Sequence, residues 1–234
     1  MFALTHQFLP QLIEGDELYT RVHKNVAPDE SQGWPIVLMD RATRFLWEMH
    51  CGRKERKLFQ HAMALLGKVI QHTSDLTLLT DGERRYGSLL FEICSDVLRT
   101  GQRGRPKKTL RKGVKVRLKN KGAQRHKRGR KRPKYHAPYP EHPDTAQPIA
   151  TTDIQANHLE AFNTSLRRRC AAYRRRTNTS AKNQARLQER LDVYWIVHNF
   201  VRVHFTTRQV PAVALGVLES GFSLKEVFFL QKIA

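Results

Sequence analysis

Three carboxylates stand out for the company they keep. Asp16 lies in the apolar-flanked run Leu12-Ile13-Glu14-Gly15-Asp16-Glu17-Leu18-Tyr19. Asp81 closes a second run, Leu76-Thr77-Leu78-Leu79-Thr80-Asp81-Gly82, and Glu160 falls in the helical pattern Asn157-His158-Leu159-Glu160-Ala161-Phe162-Asn163. In-line attack on a phosphodiester by water or a 3′-hydroxyl is served by two divalent ions about 4 Å apart, which activate the nucleophile and steady the leaving oxygen. Mg²⁺, or Mn²⁺ in its place, takes hard oxygen donors, so two Asp and one Glu suit it. Without a cation, three converging carboxylates would repel one another and take up protons.

The rest of the chain makes a phosphate backbone the natural substrate. Its 234 residues carry 42 Lys+Arg against 21 Asp+Glu, a net +21. The excess is concentrated: residues 101–136 hold 17 Lys/Arg and no acid, leaving +4 for everything else. Such a block repels itself and seeks a polyanion, for which nucleic acid is the first candidate. An anionic membrane surface is the weaker one, because the block lacks an apolar face. Cys51, Cys94 and Cys170 have no CxxC spacing, which fits a reducing compartment and buried packing rather than disulfides or zinc. No leader is evident at the start, and no apolar run is long enough to span a bilayer. A cytoplasmic, nucleoid-associated location is expected.

Positioning the three acids requires a set of elements. Residues 12–22 read as a strand. Trp34–Met39 and Phe45–Met49 flank a polar turn, a hairpin signature. Phe59, Ala62, Met63, Leu66, Val69 and Ile70 recur at helical spacing over 54–72. Residues 75–80 form a short strand ending at Asp81, and a helix is expected over 84–98. Val114-Lys115-Val116-Arg117-Leu118 alternates apolar and basic residues, as an edge strand does. Helical pattern resumes over 153–173 and 183–204, where Leu187, Leu191, Tyr194, Trp195, His198 and Val201 share a face. Two short helices, 210–219 and 223–232, close the chain. This order predicts an α/β fold, a ribonuclease-H-like mixed five-stranded sheet flanked by helices. The expected organisation is a lead-in (1–11), a catalytic domain (12–100 and 149–204), a basic Pro-rich insert acting as a DNA-binding arm (101–148) and a helical tail (205–234).

The same residues resemble a family. Glu14-Gly15-Asp16-Glu17-Leu18-Tyr19-Thr20-Arg21-Val22-His23-Lys24, followed by Trp34 and Asp40, resembles the opening of the catalytic domain of insertion-sequence-one (InsB-like) transposases. Leu79-Thr80-Asp81-Gly82 with Tyr86 resembles the family's Thr-Asp-Gly segment. Glu160-Ala161-Phe162-Asn163 through Leu166-Arg167-Arg168-Arg169, then Arg174 to Lys182, resembles its Glu-x-x-Asn-x-x-Leu-Arg helix and the basic stretch after it. His198-Asn199-Phe200, His204 and Val210 to Gly216 look like a tail shared by many transposases and integrases. The resemblance implies a DDE transposase that cuts the ends of an insertion sequence and joins them to target DNA. It implies that Asp16 bridges two Mg²⁺ (or Mn²⁺) ions, each completed by Asp81 or Glu160. It also implies a homo-oligomer, a dimer or more. Two departures are visible. Asp81 and Glu160 are 79 residues apart, because the basic insert intervenes. The chain begins only 15 residues before Asp16, so an upstream-frame zinc-finger and helix-turn-helix region is an expected partner or fusion. The competing readings are an inactive or partial transposase acting only as a basic DNA-binding protein, and a related integrase or nuclease of the same fold.

Other residues divide between DNA contact and plain structure. Asp40 rivals Asp16 but falls where the hairpin turns; Asp153 rivals Glu160 from the same helix. Asn163 and Arg167 share Glu160's helical face and are candidates to orient the carboxylate or hold a phosphate. Arg103-Gly104-Arg105-Pro106-Lys107-Lys108 resembles the core of an AT-hook, an arm for the narrow minor groove of A·T-rich DNA. Arg128, Arg130, Lys131 and Arg132 make a looser second copy. A non-specific phosphate tether is the alternative for both. Arg168, Arg175 and Lys182 extend the expected DNA surface. His158, His204, Trp34 and Trp195 read first as structural.

Overall fold

The computed structural model describes residues 11–23, 26–99, 101, 103–119, 135–145, 149, 154, 157–174 and 178–230. Their strands are β1 (Gln11–Glu17), β2 (Trp34–Asp40), β3 (Leu46–Gly52), β4 (Leu76–Thr80), β5 (Ser95–Leu98), β6 (Lys107–Leu110), β7 (Val114–Lys119) and β8 (Tyr135–His136). Their helices are α1 (Arg56–Val69), α2 (Arg84–Ile93), α3 (Asn157–Arg169), α4 (Gln184–Ile196), α5 (Pro211–Ala214) and α6 (Leu224–Leu230). The architecture is α/β: a mixed sheet of six strands with helices flanking it, in which β1, β4, β7 and β8 are neighbours in that order and β2 pairs with β3, and a separate β5–β6 pair. The chain divides into two compact units, Met1–Asp16 with Glu55–Asn163 and Glu17–Lys54 with Thr164–Ala234.

In the first unit β1 and β7 both run parallel to β4. A strand between two parallel neighbours and covered on both faces has no solvated side, and all five residues of β4 are buried. α1 turns Leu58, Phe59, Ala62, Met63, Leu66 and Val69 inward, the face expected from its periodicity. Phe59 meets Tyr86 of α2 edge-on, with ring centroids 5.0 Å apart. The turn into β7 depends on Gly113. Its φ is +85°, and a Cβ there would sit 2.1 Å from the Ser74 carbonyl oxygen.

Three expectations shift. The helix expected to reach residue 98 ends at Ile93, and Ser95–Leu98 instead pairs antiparallel with Lys107–Leu110. β7 is interior rather than an edge, because β8 pairs antiparallel with its far side. Its alternation misled for a physical reason: Arg117 is buried and neutralised by an ion pair with Glu141. Those two residues of β8 also raise the expected five strands to six. Part of the 101–148 segment is therefore built into the sheet rather than appended to it.

In the second unit, α4 runs along β3 and satisfies its outward backbone groups with side chains. Gln188 accepts from the Cys51 N–H at 2.8 Å and donates to the Met49 carbonyl at 3.1 Å. Gln184 donates to the Cys51 carbonyl at 3.0 Å, and the Trp195 indole to that of Leu46 at 2.7 Å. Asn199, in the π turn Val197–Val201 that follows α4, clamps both backbone groups of Leu46 at 2.9 Å. Covering a sheet edge in this way removes a template for wrong pairing. His198 Nε2 donates to the Arg44 carbonyl, 2.9 Å away, and burial pushes its imidazole down to about 4. It is neutral at pH 7 and structural. The tail is shorter than expected in its first helix, Pro211–Ala214.

Candidate metal centre

The geometry of the acids follows from strand register. β1 and β4 pair in parallel with Gly15 opposite Thr80, so the next residues on each strand, Asp16 and Asp81, stand side by side at the carboxyl ends. β4 and β7 pair with Thr80 opposite Leu118, which sets Lys119 next in the same row. Lys119 in turn pairs with Tyr135 of β8. In open parallel sheets this end of the strands is where ligands sit.

α3 is fixed over that edge by β1. Glu14 is buried, and one carboxylate oxygen accepts the Leu159 backbone N–H at 2.9 Å. Its other oxygen lies 3.1 Å from His158 Nδ1. One helical turn further on, Asn163 Nδ2 donates to Asp16 Oδ2 at 2.9 Å. The match is geometric: residues four apart on a helix and two apart on a strand both advance about 6 to 7 Å on one face. A carboxylate at a helix N-terminus is also favoured by the helix dipole. Asp81 is held from below, its Oδ1 accepting the Glu83 N–H at 3.2 Å, while Glu83 caps α2 through the Arg85 N–H.

Asp16, Asp81 and Glu160 line one small cavity of about 110 Å³, together with Glu14, Gly15, Leu79, Thr80, Lys119, Tyr135 and Leu159. That volume is below the roughly 300 Å³ at which pockets begin to enclose drug-sized ligands, so it suits small ions and a reacting group at its mouth. Asp16 and Asp81 are half-buried. Glu160 is 66% exposed and lies 3.7 Å from Lys119 Nζ.

The donor set fits a hard divalent cation. Asp16 and Asp81 each bring a carboxylate oxygen within 4.8 Å of the other. No cysteine or histidine belongs to this group, which favours Mg²⁺ or Mn²⁺ over zinc. The Thr80 hydroxyl on the cavity wall and the Asn163 Oδ1 are buried with no hydrogen-bond partner among the described residues, as expected where water or a ligand completes the set. Glu160 is not in the close group, so it meets the two aspartates across the cavity rather than in direct convergence.

The remaining site residues expected from sequence are placed as follows. Asn163 is buried and donates to Asp16, the placement expected of a residue that orients that carboxylate. Arg103 and Arg105 are exposed in bends, and Lys107 and Lys108 are exposed on β6, in a paired strand rather than a free arm. Arg167 is half-buried, and Arg168 and Lys182 are exposed. Arg128, Arg130, Lys131, Arg132, Arg175 and Asp153 lie outside the described residues. His158 is engaged by Glu14, and His204 accepts from the Thr206 N–H at 3.2 Å, so each has a structural contact. Asp40 is a turn residue: its Oδ2 accepts from the Thr43 N–H at 2.7 Å and hydroxyl at 2.6 Å. Glu14 and Lys119 stand outside the set expected from the sequence. Glu14 had a signal, an acid two residues from Asp16 on an otherwise buried strand. Lys119 had none without the register.

Fold and site together define an α/β protein with a carboxylate-lined cavity at the ends of parallel strands. No protein-family model matches the chain, and no curated protein matches it significantly. Among the described residues no helix is long and apolar enough to cross a membrane.

Proposed function

We propose that this chain is the catalytic region of a DDE transposase of the insertion-sequence-one kind, cutting and joining DNA with Mg²⁺ or Mn²⁺ on a ribonuclease-H-like sheet. The observation that carries the reading is that three acids from three separate elements, one of them 79 residues away in sequence, line the same cavity. The central strand order, with β1 and β7 parallel to β4, agrees with that fold. Divalent ions held here would activate a nucleophile and stabilise the leaving oxygen. The chain's own residues prepare that chemistry. Asp16 and Asp81 present oxygens in fixed positions, Asn163 locks the Asp16 rotamer, and Glu14 seats the helix that brings Glu160 to the mouth. The exposed basic residues and the net charge of +21 would neutralise the backbone of element ends and target DNA.

The test is Mg²⁺-dependent cleavage and strand transfer on element-end DNA, supplied with an upstream DNA-binding partner, comparing wild type with Asp81→Asn. Loss of both reactions with retained DNA binding supports the reading. Equal activity rejects it, and DNA binding without any metal-dependent reaction in the wild type favours a protein that only binds.

A further inference from the structure

The row of strand ends that carries the two aspartates continues into a lysine. Asp16, Asp81 and Lys119 occupy successive positions on β1, β4 and β7, and all three line the cavity. Lys119 forms an ion pair with Glu160, its ammonium 3.7 Å from the carboxylate. Glu160 is also the acid that stands apart from the close pair formed by Asp16 and Asp81. An ammonium and a divalent ion compete for the same carboxylate oxygens, so a cation already placed at Glu160 disfavours a second metal there.

We propose that Lys119 holds the place of the second divalent ion until DNA binds. In the DNA-free protein it holds Glu160, so a single divalent ion binds at Asp16 and Asp81. With DNA bound, its ammonium contacts a phosphate oxygen. The inference rests on the metal-dependent reading and deepens it. Lysine suits the role as a point charge on a flexible stem, and Lys119, with its side chain one-third exposed, has both solvent access and a wall of the cavity behind it.

Mn²⁺ titration of the full chain by calorimetry, with electron paramagnetic resonance as a check, tests it on wild type, Lys119→Ala, Lys119→Arg and Asp81→Asn. The expected stoichiometry is one ion for wild type and Lys119→Arg, two for Lys119→Ala, and none for Asp81→Asn. Two ions in the wild type, or one in Lys119→Ala, overturns the proposal and leaves the metal reading standing. No ion in the wild type overturns the metal reading itself. Binding of duplex DNA in Ca²⁺ supplies the phosphate arm: Lys119→Ala should reduce the slope of log K against log salt by about 1. An unchanged slope removes the phosphate contact.

Discussion

Two aspartates, Asp40 and Asp81, each end an apolar strand, and their fates differ. Asp40 follows β2 at an antiparallel hairpin, where the chain reverses at once. Its carboxylate is consumed by Thr43 within the turn, and burial pushes it above the usual carboxylate range even though those hydrogen bonds pull the other way. Asp81 follows β4, whose neighbours β1 and β7 run the same way and bring their own ends to the same edge. It is half-buried and shares a cavity with Asp16 and Glu160. The local sequence of the two is similar. Strand direction decides which becomes a turn residue and which becomes part of a site, because only parallel strands collect their carboxyl ends.

The comparison can be broken by experiment. The largest effect is expected at the parallel edge: Asp81→Asn or Asp16→Asn should lower the metal-dependent reaction about 10³-fold, the scale of several kcal/mol of transition-state stabilisation. Circular dichroism should be unchanged. Next comes the residue that only orients. Asn163→Ala should weaken Mn²⁺ binding by about 10- to 100-fold, the usual cost of losing a group that aligns a metal ligand; full affinity would mean that Asp16 needs no such support.

A third prediction concerns pH. His198 titrates near 4 in the folded chain against about 6.5 unfolded, so the unfolded chain binds the extra proton between those values. Its contribution is present above pH 6.5 and is lost as pH falls toward 4. Unfolding free energy should drop by about 2 kcal/mol from this group between pH 7 and pH 5. The check is urea denaturation at both values, and His198→Gln should flatten the difference. The smallest effect is expected at the antiparallel turn. Asp40→Ala should cost about 1 to 2 kcal/mol of stability through lost turn hydrogen bonds. Mn²⁺ affinity should be unaltered, and a loss there would erase the distinction between the two aspartates.

Much of this arrangement was legible in the chain. Asp16, Asp81 and Glu160 could be picked from their settings, and the inward face of α1 followed from spacing alone. What was hidden depended on partners far away in sequence. Arg117 reads as a solvent-facing residue until Glu141 is seen to neutralise it, which is why β7 passed for an edge. Ser95–Leu98 continued a helix on paper because its partner, Lys107–Leu110, lies in a segment dominated by charge. Lys119 became a site residue only through register across three strands. The wrapped edge of β3 was hidden too, since Gln184, Gln188 and Asn199 look like any polar helix face until their backbone partners are placed.

The central claim is that Asp16 and Asp81 jointly hold a divalent ion. A crystal structure determined in Mn²⁺, with data collected at the manganese absorption edge, tests it most directly. The account predicts an anomalous peak about 2.2 Å from a carboxylate oxygen of each aspartate, the usual range for such ions. An empty Asp16–Asp81 edge at saturating Mn²⁺, or a peak held by other residues, would contradict it.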